Sequence, residues 1–244
     1  MKNKAEDIHQ QLLKLTLSGR PLGESSSNGF ARCGLRVPEV RALLKTPLVK
    51  QISKLPRNQA LDIWHYVYLN TPCYELGGLC IYFYQYRELS KAEFNKLKQW
   101  TNRCDCWEHS DDLSKVYADT LEANPSWVIP VLEKWNQSKK PWQRRQSIVS
   151  LLEYAQKRHT ALPFSKLISF VEPLLDDPEY YVQKGVGWTL REIYNVYPKE
   201  MKQFFNTHYS AIQPTSWSAA VEKLEPNLKK TLNLKRKTAR SNNS

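Results

Sequence analysis

Three short stretches carry more polar and aromatic chemistry than a helix core needs. In CWEHSDDLS, Trp107 and Asp111 are four residues apart, so they share one helical face. Leu113, Val116, Tyr117 and Thr120 form an apolar stripe on the other side. Glu108 suits the positive end of the helix dipole; Asp111 lies a turn further in and Asp112, one position round, is expected to matter less. In PWQRRQSIVSLL, Pro141 fits a first helical position, while Arg144 and Arg145 oppose the dipole. Either phosphate or an internal ion pair would answer those two charges. In YVQKGVGWTLREIY, Lys184, Trp188 and Arg191 fall opposite Val182, Val186, Thr189 and Ile193. Either a neighbouring helix covers that indole, or it stacks on the sugars and bases of a nucleic acid among the flanking cations.

Other chemistry is weaker. Cys104, Cys106 and His109 are three potential ligands at non-standard spacing with no evident fourth, so no metal is expected there. There is no glycine-rich phosphate loop or Walker lysine. His65 and His159 have no sequence neighbours that suggest a nucleophile relay. The aromatic run of Trp64, Tyr66, Tyr68, Tyr82, Phe83, Tyr84 and Tyr86 reads as inter-helix packing, not a cofactor box, and no cofactor is expected.

The elements that must position these residues are helices, because apolar residues recur at three- and four-residue steps and prolines punctuate the chain. Helices are expected at 4–17, 38–44, 58–69, 74–87, 91–100, 106–121 and 126–135, then at 142–156, 164–174, 178–194, 199–209 and 214–224. The segment 19–28 is a loop by its Gly, Pro and Ser content. Trp142, Arg145 and Leu151 correspond to Tyr181, Lys184 and Leu190 at a shift of 39 residues. A helix pair returning at about 40 residues has the HEAT/armadillo period. The expected fold is all-α: a curved, single-domain HEAT-like solenoid of helix pairs over 1–230, followed by a basic, disordered tail at 231–244.

The net charge of +12, from 36 Lys+Arg against 24 Asp+Glu, attracts polyanions. No apolar run approaches the roughly 20 residues of a membrane span, and Met1 to Gln10 lacks the apolar core of a signal peptide. Five cysteines without framework spacing point to a reducing, cytoplasmic setting. Nucleic acid is therefore favoured over a membrane surface.

These stretches resemble the DNA alkylation repair family of HEAT-like alkylpurine DNA glycosylases, the AlkD type. YVQKGVGWTLREIY is similar to the family's KAIGW-LRE helix, PWQRRQSIVSLL to its Trp-Arg helix, CWEHSDDLS to its Trp-Asp motif and GLRVPEVRALLK to its N-terminal signature. Where the family reads Trp-Asp-x-Val-Asp, this chain reads Trp-Glu-His-Ser-Asp, and the family's basic residue near the last helix has no counterpart around Ser216 and Trp217. The resemblance implies catalytic roles for Asp111, Trp107, Trp188 and Arg145. Lys184, Arg191, Trp142, Arg144 and Arg41 form the expected DNA-binding set. It also implies a monomeric, metal-free enzyme of the bacterial cytosol that releases N7-alkylguanine and N3-alkyladenine from double-stranded DNA; the alternative is a non-catalytic binder of bent or branched DNA.

Affinity for undamaged duplex is expected to fall steeply across a salt series, because displaced counterions drive the association. Removing the chain from Lys235 onward is expected to cost little specificity, if that tail touches only phosphates. A flat salt dependence in a titration against duplex DNA would count against the polyanion reading.

Overall fold

The computed structural model describes residues 2–152, 160 and 162–241. Its helices are α1 (Lys2–Leu17), α2 (Val37–Leu43), α3 (Pro47–Ser53), α4 (Arg57–Asn70), α5 (Tyr74–Tyr84), α6 (Lys91–Leu97) and α7 (Trp107–Ala123). They continue as α8 (Pro125–Asn136), α9 (Pro141–Val149), α10 (Phe164–Val171), α11 (Tyr180–Val196), α12 (Pro198–His208), α13 (Pro214–Ala220) and α14 (Pro226–Ser241). Among the described residues there is no sheet, only an isolated bridge between Ala31 and Cys73. The all-α expectation holds. No described helix is long and apolar enough to cross a membrane.

Local chemistry sets the boundaries. Proline occupies the first turn of α2, α3, α8, α9, α12 and α13, where its missing N–H has no partner to lose. Ser90 and Glu93 form a reciprocal capping box at α6, the Glu93 carboxylate accepting from the Ser90 N–H at 2.7 Å. The helix expected to reach residue 87 stops at Tyr84, because Gln85 turns extended and Tyr86 takes a left-handed φ of 62°. The seven-residue α3 was not anticipated. The helix expected over 142–156 ends at Val149, and 153–156, like His159, lies outside the described residues.

The chain packs as two compact units, Met1–Thr120 and Leu121–Ser244. The first is built on fully buried aromatics: Tyr68 stacks on Trp100 at 4.3 Å and Trp64 packs on Phe83 at 4.7 Å. Trp100 donates its indole N–H to His65 Nδ1 at 3.0 Å. The aromatic run is thus packing, as expected, except that Tyr86 is 73 % exposed. The loop over 19–34 is tied down by Glu75, whose carboxylate accepts from the backbone N–H of Cys33 and Gly34 at 2.9 Å each. Arg103 adds a guanidinium over the Phe30 ring at 4.0 Å.

The second unit is organised around α11. Its Val182, Val186, Thr189 and Ile193 are buried, as the periodicity predicts, and Leu190 is buried beside them. Two glycines let other chains approach its backbone. A Cβ on Gly185 would sit 3.1 Å from the Arg145 guanidinium of α9, and one on Gly187 would sit 2.5 Å from the Ser216 carbonyl oxygen of α13. Across the second contact Ser216 Oγ donates to the Gln183 carbonyl at 2.8 Å and also bonds Gln183 Oε1. Gln183 Nε2 in turn donates to the Leu174 and Asp177 carbonyls at 3.0 and 2.8 Å.

The expected disordered tail is instead the end of α14, with residues 242–244 outside the described set. The physical reason is a four-residue step hidden in a basic run: Leu228, Leu232 and Arg236 share a face. Leu232 is fully buried, and Arg236 lies 4.2 Å over the Trp217 ring while donating to the Tyr209 carbonyl. Trp217 completes the contact by donating its indole N–H to Asn233 at 2.7 Å. Cutting at Lys235 therefore removes an internal packing residue as well as surface charge.

Gly187→Ala pushes a methyl against backbone that has no rotamer to yield. It is expected to destabilise by about 1–3 kcal/mol, the usual range for overpacking. Gly78→Ala in α5 meets only ordinary contacts at 3.7 Å or more, so its gain in helix propensity of up to about 1 kcal/mol should leave stability equal or higher. Thermal unfolding of the two variants beside the parent chain checks both.

Candidate functional site

In the first unit the site residues stand at the start of α7. Leu113, Val116, Tyr117 and Thr120 are buried, as the stripe predicts. Trp107 is 49 % exposed and Asp111, one turn on, is half-buried, so the pair faces away from the core together. Between them lies the residue that holds the helix end. His109 is fully buried, its ring stacked flat on Tyr74 at 4.2 Å and edge-on to Phe30 at 5.1 Å. Its Nε2 is 3.1 Å from the Tyr74 carbonyl, which makes Nε2–H the donor. Arg32 also lies over the Tyr74 ring, at 3.7 Å, and pairs with Glu108 at 2.7 Å. The first turn of α7 is thereby clamped to α5 and to the loop before α2.

The adjacent carboxylates have different employment. Asp112 accepts from Lys115 at 3.0 Å, from Gln85 Nε2 at 3.2 Å and from the Tyr82 hydroxyl. It ties α7 to α5, a structural role beyond what the sequence pattern suggests. Asp111 lies on the Trp107 side of the helix, and Ser114 Oγ donates to its backbone carbonyl at 2.7 Å.

In the second unit the residues divide differently from expectation. Arg145 is only 4 % exposed, packed on Gly185 and donating to the Tyr181 carbonyl at 2.7 Å. The 39-residue echo equates it with Lys184, which is exposed, so the two positions share a register but not an environment. Arg144 forms a two-point ion pair with Asp177, at 2.5 and 3.1 Å, and donates to the Ser138 carbonyl at 2.8 Å. This internal pair answers the arginine that opposed the helix dipole, without phosphate. Arg191 pairs with Glu222 at 2.8 Å and Glu192 at 3.2 Å. Of Arg144, Arg191 and Lys184, Lys184 alone lacks a carboxylate partner among the described residues. Trp188 is half-buried on the Lys184 face of α11.

The sequence singles out Trp142 but not the two exposed tyrosines that the structure sets beside it. Trp142 stacks on Tyr181 at 5.2 Å, and Tyr181 meets Tyr180 edge-on at 5.2 Å. Tyr180 and Tyr181 are 59 % and 42 % exposed, giving an outward aromatic ladder near Lys184 in sequence. The repeat shift that pairs Trp142 with Tyr181 was the available clue. Back in the first unit, Arg41 is exposed and rests over the Tyr82 ring at 4.7 Å.

Metal-type donors gather at Cys33, Cys73 and Glu75, all buried and within 4.8 Å of one another. The Glu75 oxygens already accept backbone N–H groups of the 19–34 loop, and burial pushes the Cys73 thiol strongly upward, which disfavours the thiolate a metal needs.

Burial holds His109 down at about 4, so it folds neutral. Unfolded, it protonates near 6.5. Between those values the unfolded chain binds the extra proton, so this residue's contribution to stability is present above about pH 6.5 and is lost as pH falls towards 4. His109→Gln should flatten the decline of unfolding midpoint across that window, whatever it does to absolute stability. An unchanged slope would show that His109 does not set it.

A search of curated proteins gives no match. Among solved structures, a predicted DNA alkylation repair enzyme from Enterococcus faecalis superposes with a TM-score of 0.70 at 16 % identity, covering 90 % of this chain and 96 % of that one. AlkD2 from Streptococcus mutans gives 0.58 at 15 % identity, with 94 % and 97 % covered. The smu.31 protein of Streptococcus mutans UA159 gives 0.51 at 16 % identity, with 81 % and 95 % covered. At these identities the likeness speaks for a shared helical-repeat fold. The family model for DNA alkylation repair enzymes matches residues 7–224, nearly the whole described chain, and this protein belongs to that family.

Proposed function

We propose that this chain is a monofunctional DNA glycosylase that hydrolyses the N-glycosidic bond of cationic ring-alkylated purines, N7-alkylguanine and N3-alkyladenine, in base excision repair. The observation that carries the reading is Trp107 and Asp111 facing outward together on a helix end that His109 clamps in place. Alkylation at a ring nitrogen makes the purine a cation and a good leaving group. Its departure leaves positive charge on the sugar, and a carboxylate fixed beside the breaking bond lowers the energy of that state. Asp111 is that carboxylate, and it also orients the attacking water. An indole face holds a cationic base with about 0.5–2 kcal/mol per contact, and Trp107 supplies such a face beside Asp111.

Arg145 is assigned a supporting role, because its guanidinium is packed under α11. Lys184 and the ladder of Trp142, Tyr181 and Tyr180 are the DNA-contacting group of the second unit, offering cationic charge and ring faces for sugar and base contacts. Arg144 and Arg191 contribute mainly through their internal ion pairs. The chemistry calls for no metal or cofactor, and the enzyme acts as a monomer on duplex DNA in the cytoplasm.

Asp111→Asn keeps the shape and removes the charge. Base release from methylated duplex is expected to fall at least about 100-fold, some 2.7 kcal/mol of barrier, while affinity for undamaged DNA stays equal or rises slightly. Glu108→Gln removes a charge from the same helix end and loses only a partly exposed ion pair, so it should be far milder. Equal release by the Asp111 variant and the parent would take Asp111 out of catalysis. Absence of release by the parent on several alkylated substrates would favour a non-catalytic binder of bent or branched DNA.

A further inference from the structure

A cavity of about 290 Å³ opens at the C-terminal end of α5, wholly within the first unit. Arg41, Tyr82, Phe83, Gln85, Tyr86 and Arg87 line it. Its volume lies at the small end of ligand pockets, about 300–1,000 Å³. Both arginines are exposed and rest on ring faces, Arg41 over Tyr82 at 4.7 Å and Arg87 over Phe83 at 4.0 Å. Neither is within ion-pair distance of a carboxylate among the described residues, whereas Arg57, Arg144 and Arg191 all are. The rings fix the two guanidiniums, Arg41 also bonding the Tyr82 hydroxyl, and leave both without a paired carboxylate among the described residues, which is a preorganised site for an anion.

The other walls narrow the class of anion. Tyr86 is 73 % exposed, and its left-handed backbone, φ 62°, turns the chain out of α5 where a helical continuation would have folded this segment away. A free-standing ring beside two cations suits a ligand with a flat π face. Gln85 spends its amide nitrogen on Asp112, and its amide oxygen has no partner among the described residues, leaving an acceptor for an exocyclic amine. Two unanswered positive charges match a terminal phosphomonoester, which carries about −1.5 to −2 at pH 7, better than a diester with its single charge.

We propose that this cavity binds a nucleotide bearing a terminal phosphomonoester, the phosphate on Arg41 and Arg87 and the base against Tyr86. Such a unit exists as a free mononucleotide and as the 5′-phosphorylated end of a DNA strand. The site is separate from Trp107 and Asp111, and it needs no alkylated base.

The test is calorimetric titration of the full chain with deoxyadenosine 5′-monophosphate, with deoxyadenosine, and with one short single strand carrying or lacking a 5′-phosphate. The mononucleotide is expected to bind at least about tenfold tighter than the nucleoside, some 1.4 kcal/mol. Arg87→Ala and Tyr86→Gly should each weaken binding by a similar factor; the glycine relieves the left-handed backbone, so its fold is safe, and thermal unfolding verifies the alanine variant. Mononucleotide binding places the ligand among free nucleotides. Binding confined to the phosphorylated strand places it at a strand end, and both support the site. No saturable binding of either phosphorylated probe, indifference to the phosphate, or unaltered binding in both variants overturns it. Because every probe is unalkylated, failure here is distinct from failure to release a methylated base.

Discussion

The second unit depends on how closely α11 lets its neighbours approach. Gly185 and Gly187 leave bare backbone on two sides of one helix, and Arg145 and Ser216 fill the space. Close approach is what allows a guanidinium to be buried at all: Arg145 reaches the Tyr181 carbonyl because no side chain at 185 blocks it. On the other side, the Ser216 hydroxyl donates to Gln183 deep in the core and the Gln183 amide donates on to the Leu174 and Asp177 carbonyls, so the polar groups trapped by the contact are satisfied. With two faces of the helix committed in this way, Trp188 and Lys184 are left on the remaining one.

Much of this was legible in the sequence, for identifiable reasons. Helix existence follows from three- and four-residue apolar steps, and the buried stripes of α7 and α11 came out as read, residue by residue. The exposed Trp107 follows from the same periodicity. What the pattern could not supply was the partner of a charge. Arg144 meets Asp177, 33 residues away, and nothing local separates that ion pair from a phosphate contact. Arg145 and Lys184 occupy equivalent places in the repeat, yet a glycine opposite one of them makes it a core residue. In the tail composition outweighs spacing: nine of the eleven residues of LKRKTARSNNS are basic or polar without charge, which suggests disorder, while Leu232 and Arg236 are in step with a helix face.

The charge balance takes on a different meaning once partners are known. A net charge of +12 suggests a broad basic surface, but several of its arginines are neutralised locally or turned inward. Arg57, Arg144 and Arg191 sit in ion pairs, and Arg103 and Arg236 lie over aromatic rings while bonding backbone carbonyls. Arginine here is as much a packing residue as a charge, its planar group covering ring faces and reaching carbonyls that would otherwise be stranded. Each ion pair takes one acid with its cation and leaves the surplus of 12 intact, so pairing decides which cations face a polyanion and not how large the surplus is.

The contact between Gly187 and the Ser216 backbone also constrains how this sequence can drift over generations. Position 187 is set by a distance and not by chemistry: with 2.5 Å between the place of a Cβ and a carbonyl oxygen, every side chain is excluded alike. Position 216 is under the opposite rule, since its carbonyl tolerates any residue but its hydroxyl is what Gln183 meets. A substitution at 187 therefore costs stability unless α13 shifts with it, and relief of that cost takes a second change elsewhere in the chain.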